Sequence, residues 1–419
     1  DLRPDPARIT TLLVGPGPSL EDARAERLLR LPARALALTD RDGGAAIAFD
    51  DELAWLRNDG VGGLTESGSI GVAGLLEGTI ARCPVAAAAP ARVAFLSLDG
   101  RVGLADDGAS QALYSATPLF DGAGTVRAES RLVVADLDRD GRDDLVVVLV
   151  VDRGTPSTER SLLLLSGRDP LIDPFPFALP AAAARTPLGF EALDLAIGDF
   201  APGDPGGNLE VVLSAPRSDA ARGLHFFRRE AGATPEEARL VESVVEATDP
   251  RVAANFDPRL VRVADLDGDG FDDLLVASGS LDQLRVYRQA GASTRTTTRP
   301  AEVDPLVFAP TSDLVLPTGI PLVMHLADLD GDRGADLVVH VRRRNDPTQR
   351  AVAVALTDAL AGFLRSFEIP LVDVVGSGPD LATRLGDLNG DGLMDLALAW
   401  SGDGAMQPSL VRVLFGTHR

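Results

Sequence analysis

Lysine is missing from the 419-residue chain: all 40 basic residues are arginine. That excludes P-loop, Schiff-base and general-base lysine chemistry. A single cysteine, Cys83, excludes an intrachain disulfide. Its expected place is the opening of a strand, as a small buried apolar residue. The four histidines, His225, His325, His340 and His418, build no H-E-x-x-H metal motif, and no G-x-S-x-G elbow is present. His225 and His340 fall in strand patterns, His325 at the entry to a loop, and His418 near the end. With two tryptophans, Trp55 and Trp400, a carbohydrate-stacking face is poorly supplied. Tyr114 and Tyr287 are the only tyrosines. Long hydrophobic runs are also missing. The longest, LVVVLVV at 145–151, is strand length, against about 20 residues for a membrane-spanning helix. Positive charge is scarce: the formal net charge is −22 and the pI about 4.6, a surface that repels nucleic acid and anionic lipid.

Glycine and proline are plentiful, with 42 and 29 residues, and hydrophobic residues make up 45% of the chain. The core is therefore large, and many turns join short elements. One loop pattern recurs. ADLDRDGRDDLVVV begins at Ala135, ADLDGDGFDDLLVA at Ala264, ADLDGDRGADLVVH at Ala327 and GDLNGDGLMDLALA at Gly386. A decayed copy, GDFAPGDPGGNLEVVLSAP, begins at Gly198. From Asp136 through Asp199, Asp265, Asp328 and Asp387 the spacings are 63, 66, 63 and 59 residues. Extrapolating backwards places two more decayed copies, near Val72 and at the first residues.

Each unit carries an apolar strand before the loop, a second after it (DLVVVLVV, DLLVAS, DLVVHV, DLALAW) and a third such as GLHFFRR or QLRVYRQ. Val- and Leu-rich runs bounded by Gly, Pro and Asp read as strands. Four strands in about 60 residues is the size of a propeller blade. The reading is a single all-β propeller over 1–419 with seven four-stranded units: 1–70, 71–132, 133–195, 196–261, 262–324, 325–383 and 384–419. SLEDARAERLLRL at 19–31 reads as a helix inserted in the first unit. Pairing of the two chain ends is the expected way to close the ring.

In the loop D-x-D-x-D-G-x-x-D, positions 1, 3, 5 and 9 offer side-chain oxygens and position 7 a backbone carbonyl. Hard oxygen donors around a glycine turn suit Ca²⁺. The four ligand sets are Asp136, Asp138, Asp140, Arg142 (carbonyl) and Asp144; Asp265, Asp267, Asp269, Phe271 (carbonyl) and Asp273; Asp328, Asp330, Asp332, Gly334 (carbonyl) and Asp336; Asp387, Asn389, Asp391, Leu393 (carbonyl) and Asp395. The third is the least regular, because Arg333 takes the glycine position. An EF-hand needs a glutamate at position 12. Val147, Val276, Val339 and Leu398 stand there instead.

The four loops, with LEVVLSAPRSDAARGLHFF in the decayed unit, resemble the FG-GAP or VCBS-type repeats of integrin-alpha-like seven-bladed β-propellers. Ser214 replaces a glycine of that pattern. The resemblance implies structural calcium in about four sites, an extracellular, cell-surface or periplasmic location, and a non-catalytic role in adhesion or assembly with a protein or glycan partner. It carries no calcium to the decayed loops. The alternative is a propeller enzyme, a polysaccharide lyase or glycosidase using acids on the ring face.

Overall fold

A computed structural model describes residues 7–12, 26–28, 35–39, 44–48, 52–58, 64–72, 74–83, 92–107, 109, 111–154, 158–168, 175–200, 208–216, 223–243, 245–246, 257–266, 272–279, 283–289, 306–315, 319–329, 334–343, 350–358, 362–370, 381–386, 394–400 and 410–414. Among them there is no α-helix; apart from two 3₁₀ turns, Ala182–Ala184 and Pro235–Glu237, the regular structure is β.

The described strands form seven sheets. The first contains Ala35–Thr39, Gly44–Ala48, Glu52–Asn58 and Leu64–Gly71. The second runs Leu75–Cys83, Arg92–Ser97, Val102–Asp106 and Leu113–Tyr114. The third has Arg131–Ala135, Asp144–Asp152, Thr158–Leu165 and Thr186–Pro187, with Thr125–Val126 as an addition. The fourth has Asp194–Gly198, Glu210–Ala215, Gly223–Glu230 and Arg239–Ser243. The fifth has Pro258–Ala264, Asp273–Ser278, Gln283–Gln289 and Leu306–Val315, extended by Val245–Glu246. The sixth has Gly319–Ala327, Asp336–Arg343, Arg350–Asp358 and Gly362–Pro370. The seventh joins the chain ends: Leu381–Gly386, Asp395–Trp400 and Leu410–Leu414 with Ala7–Leu12 and Glu26–Leu28.

Ala7–Leu12 runs parallel to Leu410–Leu414, with Ile9 opposite Val411. Pairing between the ends is therefore present, as the sequence suggested. It corrects three expectations. Residues 7–12 belong with the last strands and do not lead out of a loop slot into the first sheet, whose first and second strands are connected by 40–43; the slot expected at the first residues lies outside the described residues. The slot near Val72 likewise precedes a first strand, and the corresponding connection is 84–91. Both connections lie outside the described residues. The predicted helix at 19–31 contains a strand, Glu26–Leu28, which pairs with both Ala7–Leu12 and Leu410–Leu414. Charged spacing in that segment mimics a helix N-terminus, but edge pairing at the ring closure overrides it. Cys83 ends its strand rather than opening it, and His340 is interior to its own.

The sheets pack face to face. LVVVLVV shows why its run is unbroken: Leu145, Val147, Leu149 and Val151 pack with the second sheet, whereas Val146, Val148 and Val150 pack with the fourth. Strand side chains alternate faces, so a strand buried on both faces is apolar at every position. In the fifth sheet Leu274 and Val276 join the fourth sheet's core, and Leu275 and Ala277 the sixth's. Along the inner edge, each sheet's first strand touches the next: 35–39 on 75–83, then 131–135, 194–198, 258–264, 319–327 and 381–386, which returns to 35–39. Among the described residues the contacts form a closed cycle of packed sheets with no hydrogen-bonded barrel. Arg262 ties three sheets there, donating to Asp194 Oδ2 at 2.6 Å and to the Met324 carbonyl at 2.6 Å.

Candidate metal centre

All four predicted loops sit between the first and second strands of a sheet: the third, fifth, sixth and seventh. The loop at 136–144 is described throughout. Asp136, Asp138 and Asp140 bring carboxylate oxygens within 4.8 Å of one another. The turn is built by the loop itself: Asp136 accepts the N–H of Asp140 at 3.0 Å and of Gly141 at 2.9 Å. Asp140 accepts the N–H of Arg142 at 2.9 Å. These local bonds to successive amides are what short acidic side chains make in turns. Gly141 at φ 85° occupies the left-handed region that favours glycine. Arg139 also sits there, at φ 56°. The other three loops carry Gly268, Gly331 and Gly390 at this position.

Asp144 is not brought into this cluster. It is buried, and its two oxygens accept the N–H of Leu137 at 3.2 Å and of Gly167 at 2.7 Å. Burial pushes its carboxyl up to about 6, opposed by the Gly167 amide. The same bond recurs. Asp273 accepts from Leu266 at 3.1 Å and from Gln289 at 2.9 Å, and Asp336 from Leu329 at 2.8 Å. Even the decayed loop keeps it, with Glu210 accepting the Phe200 N–H at 2.9 Å. The ninth position thus staples the loop's second residue, and in two sheets a residue at the end of the third strand or just past it. Asp395 is fully buried at the equivalent place.

Of the other predicted ligands, Asp265, Asp328 and Gly334 are described at their loop ends. Asp267, Asp269, Phe271, Asp330, Asp332, Asp387, Asn389, Asp391 and Leu393 lie outside the described residues. Arg142 follows the cluster on its turn.

Neighbouring sheets reach into the loops. Arg229 Nη2, on the fourth sheet, lies 2.7 Å from Asp138 Oδ2. Arg139 donates to Asp199 at 2.6 Å. The Asp199 N–H donates to Asp272 at 2.7 Å, and burial raises the Asp272 carboxyl. None of these partners is legible from local spacing, since each lies 60 or more residues from its mate. The arginine in a glycine position is the one signal the sequence offered.

The histidines and cysteine fill structural places. His225 stacks on Phe190 at 3.9 Å and meets Glu242 through Nδ1 at 2.7 Å. His340 and Cys83 are buried, and desolvation pushes the Cys83 thiol up to about 12. His325 is half-buried on the first strand of the sixth sheet, and His418 lies outside the described residues.

Radially packed antiparallel sheets joined through their first strands, with an acidic turn between strands one and two, define the architecture. Residues 265–339 match the FG-GAP-like repeat model. The fold is that of a β-propeller, and the matched segment within it is similar to an FG-GAP-like repeat. Among solved structures, the propeller is similar to a crystal structure of BBS1N in complex with ARL6DN, at 12% identity, covering 91% of this chain and 92% of that one, TM-score 0.51. It is also similar to Chaetomium thermophilum Raptor at 13% identity, 97% of this chain and 29% of that one, TM-score 0.48. The Dos1 propeller matches at 10% identity, 94% and 81%, TM-score 0.46. No curated protein sequence matches significantly. At such identities the likeness concerns the fold alone.

Three hard oxygen donors from one turn suit a divalent cation, Ca²⁺ or Mg²⁺. The donor set therefore fits the ion that the repeat implies.

Proposed function

We propose that this FG-GAP repeat protein is a seven-bladed, calcium-stabilised, non-catalytic propeller that serves as an interaction or adhesion module outside the cytoplasm, presenting its variable loops to a protein or glycan. The observation that carries the reading is the Asp136–Asp138–Asp140 grouping in a loop whose pattern recurs in three more sheets. Seven sheets in one cycle of contacts support the blade count. Calcium would be held by Asp136, Asp138 and Asp140 and by the corresponding acids of the other loops. Its chemistry there is charge neutralisation: four ions add +8, bringing −22 to −14. The fold's use as a partner-binding surface is supported by the similar BBS1N structure, which is a complex with ARL6DN.

A thermal melt tests the reading. With affinities of about 10⁻⁴–10⁻³ M, typical of extracellular modules, calcium at about 10 mM stabilises each filled site by about 1.4–2.7 kcal/mol. The melting midpoint rises from EDTA to calcium. Identical midpoints refute the calcium part. Affinity capture from an envelope or secreted fraction, with and without EDTA, tests the partner, and capture unaffected by calcium removal refutes the calcium-dependent module.

A further inference from the structure

A cation from the next sheet enters the loop at 136–144. Arg229 approaches Asp138 at 2.7 Å, with only 15% and 19% of the two side chains exposed. Its Nε is buried without a hydrogen-bond partner. Nη2 is thus the guanidinium nitrogen that meets the Asp138 carboxylate. Register explains the reach. Val211 pairs with Phe227, and Arg229 stands two residues further. Leu274 pairs with Tyr287, and two residues further stands Gln289, whose side chain donates to the Phe200 carbonyl in the fourth sheet's loop at 2.5 Å. One register position therefore sends its side chain to the preceding sheet's loop in both places. In the third and sixth sheets the same register holds Gly167 and Thr357, which carry no charge.

We propose that Arg229 is a built-in counter-ion of this loop and competes with calcium for Asp138, so that metal uptake at 136–144 is coupled to the contact between the third and fourth sheets. The inference rests on the calcium reading above. A divalent ion at Asp136, Asp138 and Asp140 meets a guanidinium on one of its three carboxylates. The two cations repel at short range, most strongly at Asp138, the carboxylate that Arg229 already holds. Either the ion binds weakly or Arg229 leaves Asp138 and gives up its partner. Without metal, the arginine holds the loop against the fourth sheet. At the register that faces the fifth sheet's loop at 265–273, the sixth sheet carries Thr357, which has no charge to offer.

The test is calorimetric calcium titration of the EDTA-stripped full chain, with amide exchange followed over 136–144. Arg229→Gln tightens one site about tenfold or more, equal to about 1.4 kcal/mol. Arg229→Lys, which keeps the charge, leaves that site weak. Adding Asp138→Asn to Arg229→Gln abolishes the gain. In EDTA, exchange over 136–144 is faster in Arg229→Gln than in the wild type, and calcium slows it. Wild type and Arg229→Gln binding calcium with equal stoichiometry and affinity overturns the competition while leaving the calcium reading standing. No calcium uptake by any variant overturns both.

Discussion

Asp144 shows how one residue type serves two purposes in one motif. Asp136, Asp138 and Asp140 face one another, whereas Asp144 turns into the sheet and takes two amides. Removing a buried acceptor strands its donors at about 1–3 kcal/mol each. Asp144→Ala therefore destabilises by about 2–6 kcal/mol, and does so in EDTA as well as in calcium. Chemical denaturation in both conditions measures it; a loss seen only with calcium would make Asp144 solely a ligand. Cys83 gives a second check. Its thiol is held protonated, from a normal 9.0 to about 12, because burial disfavours the thiolate. Iodoacetamide at pH 8 leaves the folded protein unmodified and labels it in denaturant. The folded value is the higher, so this group's contribution to stability is intact below pH 9 and is lost as pH rises towards 12.

Among the elements, the acidic turns and the two-faced strands carry the design. LVVVLVV divides its side chains between two cores, and any polar substitution there meets one or the other. In the turn, Arg139 holds a left-handed backbone that costs a non-glycine residue about 1–2 kcal/mol. Its ion pair with Asp199 is partly exposed, 51% and 22%, and offsets at most about 1 kcal/mol. Arg139→Gly removes the strain and the pair together, while Arg139→Ala keeps the strain and loses the pair. The glycine variant is thus the more stable of the two, read from paired melts; an alanine variant equal to it would contradict the backbone argument.

For the whole molecule, closure decides cooperativity. Ala7–Leu12 and Leu410–Leu414 share a sheet, so a strand from each end completes the seventh member of the cycle. Deleting residues 1–12 removes the parallel partner of Leu410–Leu414 and exposes part of that strand's edge. The melting midpoint falls by about 5 °C or more and the transition broadens, as followed by calorimetry. An unchanged midpoint would show that the end strands contribute nothing to closure.

The chain's repeats were legible because the acids recur at near-constant spacing and the strands alternate with turns; both are local properties of sequence. From these alone come the all-β class, the repeating loops between first and second strands and the third strands such as 223–230. The beginning of the chain was misread for an equally physical reason. Nothing near residues 7–28 records that their hydrogen-bond partners lie some 400 residues away, so 26–28 looked helical and the first loop slot was misplaced. The loop at 136–144 divides in the same way. Its donor types followed from local spacing. That Asp144 turns inward to the amides of Leu137 and Gly167, and that Arg229 enters from the neighbouring sheet, depended on sheet-to-sheet packing, which only the tertiary structure decides.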